Sequence, residues 1–230
     1  MHVATPTIPH EHPYNTTYIR ILEDLIDKGI KSGLFDYLDF AHFNIVGDLP
    51  FPEDLLNKKG IKNYKITHNG ELLDYELPTL RLLKNFADSN PDYKIHYNQT
   101  LSVSPWNWNG NKWKDRRDMH FYFSVENFHR CLNKLETYDS CGANWNKDMG
   151  DGYDEYVPHY SGNVWWANAS YISELPSVDW LIDPDNFILD YRHQAEFWIG
   201  MGKKHKHFNF FSWRDLDRED SLSRERYAFV

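Results

Sequence analysis

The stretch PHYSGNVWWANASYISELP, Pro158 to Pro176, sets a histidine, a glycine, an amide and two adjacent tryptophans close together. Gly162 lets backbone approach a ligand closely. Asn163 both donates and accepts hydrogen bonds, as recognition of hydroxyl groups requires. Trp165 and Trp166 point to opposite faces if this is a strand, so one packs in the core and the other faces a site. The group suits the wall of a pocket for something flat and hydroxylated. The competing reading is a core strand entered by a tight turn.

Two further groups carry possible chemistry. Lys112, Lys114, Arg116 and Arg117 bunch at the start of a helical pattern, where a helix N-terminus already favours anions. Such a run is equally at home on a solvated surface. Asp148, Asp151 and Asp154 lie three apart in a glycine-containing loop. They present oxygens to a hard cation or simply face water, and they lack the EF-hand spacing.

The elements that must position these groups alternate between strand and helix. A short apolar start near Val3 leads through a proline-rich loop to helix caps at Asn15–Thr17. Ile19, Leu22, Leu25, Ile26 and Ile30 then mark one side of a helix that ends at Gly33. AHFNIVGD and NYKIT read as strands, LPTLRLLKNFADSN as a helix with Leu80, Leu83 and Phe86 on one face, and YKIHYN as a strand. One long helix is expected from Asp115 to Glu136, followed by strands in SCGANW and GNVWWA and a helix in YRHQAEFWIG. Alternation of this kind predicts a single α/β domain with a mostly parallel sheet flanked by helices, over residues 1–202. Residues 203–230 alternate charge with aromatics and read as a wrapping C-terminal tail. In such sheets ligands bind outside the carboxyl ends of the strands, which selects Thr5, Asp48, His96 with Asn98, and the residues after GANW.

Composition narrows the function classes. The 230 residues are 41% apolar and 26% charged, with a net charge of −9. That balance predicts no nucleic-acid partner and no attraction to an anionic membrane surface. The sequence holds no apolar run of membrane-spanning length and no signal peptide, so no membrane insertion and a cytoplasmic setting are expected. Its two cysteines, Cys131 and Cys141, build neither a metal site nor a disulfide framework. Aromatics reach 17%, with nine Trp; they line sugar and base sites as readily as they fill cores.

Four stretches, in order, resemble a family of small GT-A-fold glycosyltransferase-like proteins of bacteria and large DNA viruses. They are ILEDLIDKGIKSGLFDYLDFAHFNIVGD, YKIHYNQT, WKDRRDMHFYFSVENFHRCLNKLETYDSCGANW, and the closing pair HYSGNVWWANASYISELP with RHQAEFWIG. The resemblance covers Tyr18 to Gly202 and implies transfer of a hexose from a nucleotide-diphosphate sugar to a glycan or glycolipid-like acceptor. A catalytically silent nucleotide- or carbohydrate-binding protein on the same fold is the alternative. It implies a donor site of Thr5, Asp48, His96, Asn98, Lys112, Arg116 and Arg117. The acceptor side falls to Gly162, Asn163, Trp165, Trp166 and Arg192. His159 is implied at the diphosphate and Glu196 as the base that takes the acceptor proton. The competing role for Glu196 is an ion pair with Arg192 four residues before it. The chain departs from the family at Gln99-Thr100, where Lys-Gly is usual. His96-Tyr97-Asn98 also replaces the Asp-x-Asp that holds a divalent cation. The metal ligands are therefore unassigned, and the expected cofactor is none or Mn²⁺, with the basic cluster neutralising the leaving group.

Overall fold

The computed structural model describes residues 1–4, 17–47, 51–71, 74–100, 110–146, 157–183, 191–212 and 222–229. Apolar residues three and four apart build α1 (Thr17–Ser32), which buries Tyr18, Ile21, Leu22, Leu25 and Ile26. Gly33, at φ 77°, turns the chain into the short α2 (Leu34–Tyr37).

Three short runs rich in β-branched and aromatic residues form a parallel group, β1 (His2–Ala4), β2 (Ala41–Val46) and β3 (Tyr64–His68), with β2 in the middle. A second group orders β4 (Lys94–Tyr97), β8 (Trp165–Asn168), β5 (Ser140–Gly142) and β9 (His207–Asn209). A parallel bridge between His2 and Gln99 joins the groups. His2 N donates to Asn98 O at 2.7 Å, and Thr100 N donates to His2 O at 3.1 Å. The spatial order is therefore β3-β2-β1-β4-β8-β5-β9.

The expectation of a mostly parallel sheet is corrected: the sheet is mixed. β8 runs antiparallel to both β4 and β5, and β6 (Trp145–Asn146) pairs antiparallel with β7 (His159–Tyr160). The cause is connectivity. β5–β6 and β7–β8 are the outgoing and returning arms of one long hairpin, and strands joined without a crossover run antiparallel. The hairpin jogs between its two pairings, and three left-handed residues sit at the jog: Asn144 (φ 63°), Gly162 (φ 99°) and Asn163 (φ 48°).

Helices cover both faces of the β4–β9 half. α4 (Leu77–Ser89), α7 (Ala169–Glu174) and α8 (Tyr191–Phe197) take one face, around Trp165. α1, α5 (Gly110–Phe121) and α6 (Phe128–Lys134) take the other, around Trp166. The helix expected over Asp115–Glu136 is interrupted by a π-helical turn at Tyr122–Glu126. Asn127 closes the wide turn by donating its backbone N and its Nδ2 to Tyr122 O at 3.0 and 2.9 Å. The turn also leaves Ser124 O to accept the Trp166 indole N–H at 2.8 Å.

The segment after Gly202 does more than wrap. β9 adds a strand parallel to β5, and Phe210, Leu222 and Tyr227 join the core that contains Phe123. Both cysteines are buried thiols. No helix among the described residues is long and apolar enough to cross a membrane.

Candidate functional site

Polar side chains from four separate elements meet at the Ser161–Asn163 turn, beside the carboxyl end of β4. Gly162 is the hub. Its carbonyl accepts from Gln99 Nε2 at 2.8 Å, and its N–H donates to Glu196 Oε2 at 3.1 Å. Arg116 Nη2 donates to Ser161 Oγ at 2.5 Å. Burial lowers the Arg116 pKa while the charge of Glu196 opposes that shift, so guanidinium and carboxylate feel one another.

Arg116 and His120 stand four apart on α5, hence on one helix face. The His120 ring lies against the turn with its pKa pushed down to about 3, first by burial and then by Arg116; it is neutral at pH 7. Ser161 backbone lies beside the ring, yet neither ring nitrogen makes a hydrogen bond of normal geometry among the described residues. The ring also explains the glycine. A Cβ on Gly162 would fall 2.8 Å from His120 Nε2, at a φ of +99° that side chains avoid. Gly162→Ala is expected to destabilise the fold by about 1–3 kcal/mol, measured by urea unfolding; an unchanged midpoint would show that the turn relaxes freely.

A second carboxylate fixes the turn from below. Glu76 is buried, and its Oε2 accepts from Tyr97 OH at 2.6 Å and from Asn163 Nδ2 at 2.5 Å. Asn163 Oδ1 in turn accepts the Trp165 indole N–H at 2.7 Å. Burial, then Glu76, then Glu196 raise the Tyr97 pKa well above its usual range, which keeps the phenol a donor. The chain Trp165–Asn163–Glu76–Tyr97 is a satisfied buried network, the kind that fixes one geometry.

The structure brings together Arg116, Gly162, Asn163 and Glu196 of the residues selected from sequence. Others go elsewhere. Trp165 and Trp166 do point to opposite faces, but both faces are covered and the two side chains are 0% and 1% exposed. The expectation that one of them faces a site is corrected. Asn163 is wholly engaged in the network above, so its amide holds the turn and not a sugar. His159 is fully buried, with Nδ1 3.1 Å from Val157 O and its ring edge-on to Phe197 at 4.7 Å. That is a packing environment, and it corrects the placement of His159 at a diphosphate.

His96 stacks on Trp166 at 4.8 Å, facing the α1 side of the sheet instead of the strand end. Burial pushes its pKa down to about 3. Asn98 is buried, and its Oδ1 accepts from Gln99 N at 2.7 Å. The basic cluster divides: Arg117 feels Asp118 and Asp24 on the α1 side, and Lys114 pairs with Asp118 at 2.5 Å. Thr5, Asp48 and the aspartates at 148, 151 and 154 lie outside the described residues, as do the side chains of Lys112 and Arg192.

Sequence reasoning missed Glu76, Tyr97, Gln99, His120 and Ser161. His120 was findable, since it follows Arg116 by one helical turn. Glu76 carried no signal, because its partner Asn163 is 87 residues away.

A Mn²⁺ ion does not fit this set. The groups after β4 are the amides of Asn98 and Gln99 and the hydroxyl of Thr100, and Glu76 Oε2 already accepts two hydrogen bonds. Hard cations take carboxylate-rich oxygen sets, and among the described residues no group of three or more His, Cys, Asp or Glu is placed to hold one. Comparison of the chain with protein-family models, with curated proteins and with solved structures gives no match.

Proposed function

We infer that the chain is a GT-A-like glycosyltransferase that moves a hexose from a nucleotide-diphosphate sugar to a glycan or glycolipid-like acceptor. The observation that carries this reading is the convergence of Gln99, Arg116 and Glu196 on the Ser161–Asn163 turn at the carboxyl end of β4. Supporting it, the parallel strands follow the order 3-2-1-4. Successive connections then leave β1 and β4 on opposite sides, and open sheets bind nucleotides at that switch point. The resemblance of HYSGNVWWA and RHQAEFWIG supports the same class.

The roles follow from charge. In an inverting transfer, the acceptor oxygen attacks the anomeric carbon as the bond to the diphosphate breaks. The acceptor proton passes to Glu196, and the electron pair leaves with the diphosphate. Arg116 faces that developing charge in a site shielded from water, where a fixed cation acts strongly. His120 and Gln99 hold the turn that aligns them. No step uses a metal ion.

Calorimetry with UDP, GDP, CDP and ADP tests the donor site. One of them is expected to bind in the micromolar range, about −8 kcal/mol, with or without Mn²⁺, and Arg116→Met is expected to weaken it. Silence with all four, with and without Mn²⁺, contradicts the reading. Glu196 already accepts the Gly162 N–H, and this bond favours a second reading in which the site binds without turnover. Product formation from a nucleotide sugar separates the two.

A further inference from the structure

We propose that the outer edge of β3 is an acceptor site for a strand of a partner polypeptide, an extended acidic segment whose carboxylates face Lys62 and Lys65. The edge belongs to the strand group away from the Gly162 turn, and its use is independent of sugar transfer.

The edge follows from register. β3 pairs in parallel with β2 and is the last strand on that side of the sheet. Ala41 N donates to Asn63 O at 2.9 Å and Asn69 N to Ile45 O at 3.1 Å, so odd-numbered residues of this segment turn their backbone polar groups to β2. By strand alternation the N–H and C=O groups of Tyr64, Ile66 and His68 point outward. None of them has a hydrogen-bond partner among the described residues. A row of this kind is a template for one more strand.

The side chains set the chemistry of the occupant. Tyr64 and Ile66 are half-buried against the core that holds Phe43 and Ile45, so β-branched residues opposite them extend that core by one strand. Charge decides the rest. Lys58 and Lys59 are already paired, with Asp54 at 4.0 Å and Asp27 at 2.5 Å. Lys62 and Lys65 are exposed, and neither makes an ion pair or hydrogen bond among the described residues. At the other end of the edge Glu71 is exposed, which places the carboxylates of the occupant toward the lysines and uncharged residues toward Glu71. The chain as a whole carries a net charge of −9, but at physiological salt charges beyond about 8 Å are largely screened.

A second copy of the chain does not fit this edge. Antiparallel pairing of two β3 strands about Ile66 sets Lys65 opposite Thr67 of the other copy and brings the two Lys65 side chains to diagonal positions on one face, within reach of each other. Lysine on an edge strand bars pairing of like with like. The same lysine admits an acidic strand, so attraction and exclusion select one class of partner.

The test uses a capped, fluorescein-tagged peptide, Thr-Thr-Val-Glu-Val-Thr-Glu, read by fluorescence polarisation and by amide exchange. Its antiparallel register sets the valines opposite Ile66 and Tyr64 and the glutamates opposite Lys65 and Lys62. Saturable binding is expected, with slowed exchange at Tyr64, Ile66 and His68. Glutamine in place of both glutamates is expected to weaken it by about two- to thirtyfold, and N-methylation of the peptide backbone by about tenfold or more. Lys65→Glu is expected to lose the glutamate peptide and to gain the analogue with lysine at those two positions. Equal binding of the glutamate, glutamine and lysine peptides overturns the acidic occupant. Binding that survives N-methylation, protection elsewhere, or no binding at millimolar peptide overturns the strand site. Protection of the same three amides by raising protein concentration alone identifies a second copy as the occupant and overturns the proposal as well.

Discussion

Alanine at Trp165 and alanine at Trp166 are each expected to cost about 3–5 kcal/mol of stability, with the two losses similar in size. Each indole is buried on its own face of the sheet, stacked on a ring and tied by its N–H. Trp165 stacks on Tyr97 at 5.0 Å and donates to Asn163 Oδ1. Trp166 stacks on His96 at 4.8 Å and donates to Ser124 O. Truncation therefore removes a large packed ring and leaves a buried oxygen without its donor. Urea unfolding of the two variants checks this, and each kcal/mol lost lowers Tm by about 2–4 °C at this chain length. If one variant kept its stability within about 1 kcal/mol and lost ligand affinity instead, that tryptophan would face the site after all.

Glutamine at position 196 is expected to slow sugar transfer by about a hundredfold to ten-thousandfold, with affinity for the nucleotide diphosphate retained. The amide keeps an oxygen to accept the Gly162 N–H, so the turn holds its shape, but it takes no proton at neutral pH. Donor affinity survives because Arg116 and the turn remain. The substitution leaves Arg116 without its opposing charge, so some stability is lost as well, unlike a change at an exposed pair. Steady-state rates with the donor that calorimetry identifies, compared with Glu196→Ala, provide the check. Equal rates in the native chain and Glu196→Gln would remove this carboxylate from the chemistry.

Secondary structure was largely legible along the chain because it rests on local pattern. The spacing of Leu22, Leu25 and Ile26 sufficed for α1, and AHFNIV sufficed for β2. Gly33 was readable as a helix stop because only its own φ matters there. Opposite directions for Trp165 and Trp166 followed from strand geometry alone. What covers each face did not follow, since it depends on α4 and α8 on one side and α5 and α6 on the other. The π-turn at Tyr122–Glu126 was hidden for a similar reason: it is closed locally by Asn127, but its freed carbonyl at Ser124 is used by Trp166, 42 residues away.

For the site, the sequence by itself determined which residue types were present and that the Ser-Gly-Asn turn was unusual. It named Arg116 for the donor side, Gly162 and Asn163 for the acceptor side and Glu196 as the base, and that the four meet at one turn came from the structure. Only the tertiary structure decided that Asn163 serves the buried carboxylate of Glu76, that His159 packs against Phe197, and that His120 stands over Gly162. Strand direction was decided there too: alternating elements suggested parallel pairing, and the hairpin joining β5–β6 to β7–β8 imposed the reverse. A local pattern encodes the conformation of a segment and the face that it buries. Partners brought together by chain reversal, tens of residues apart, leave no spacing to read.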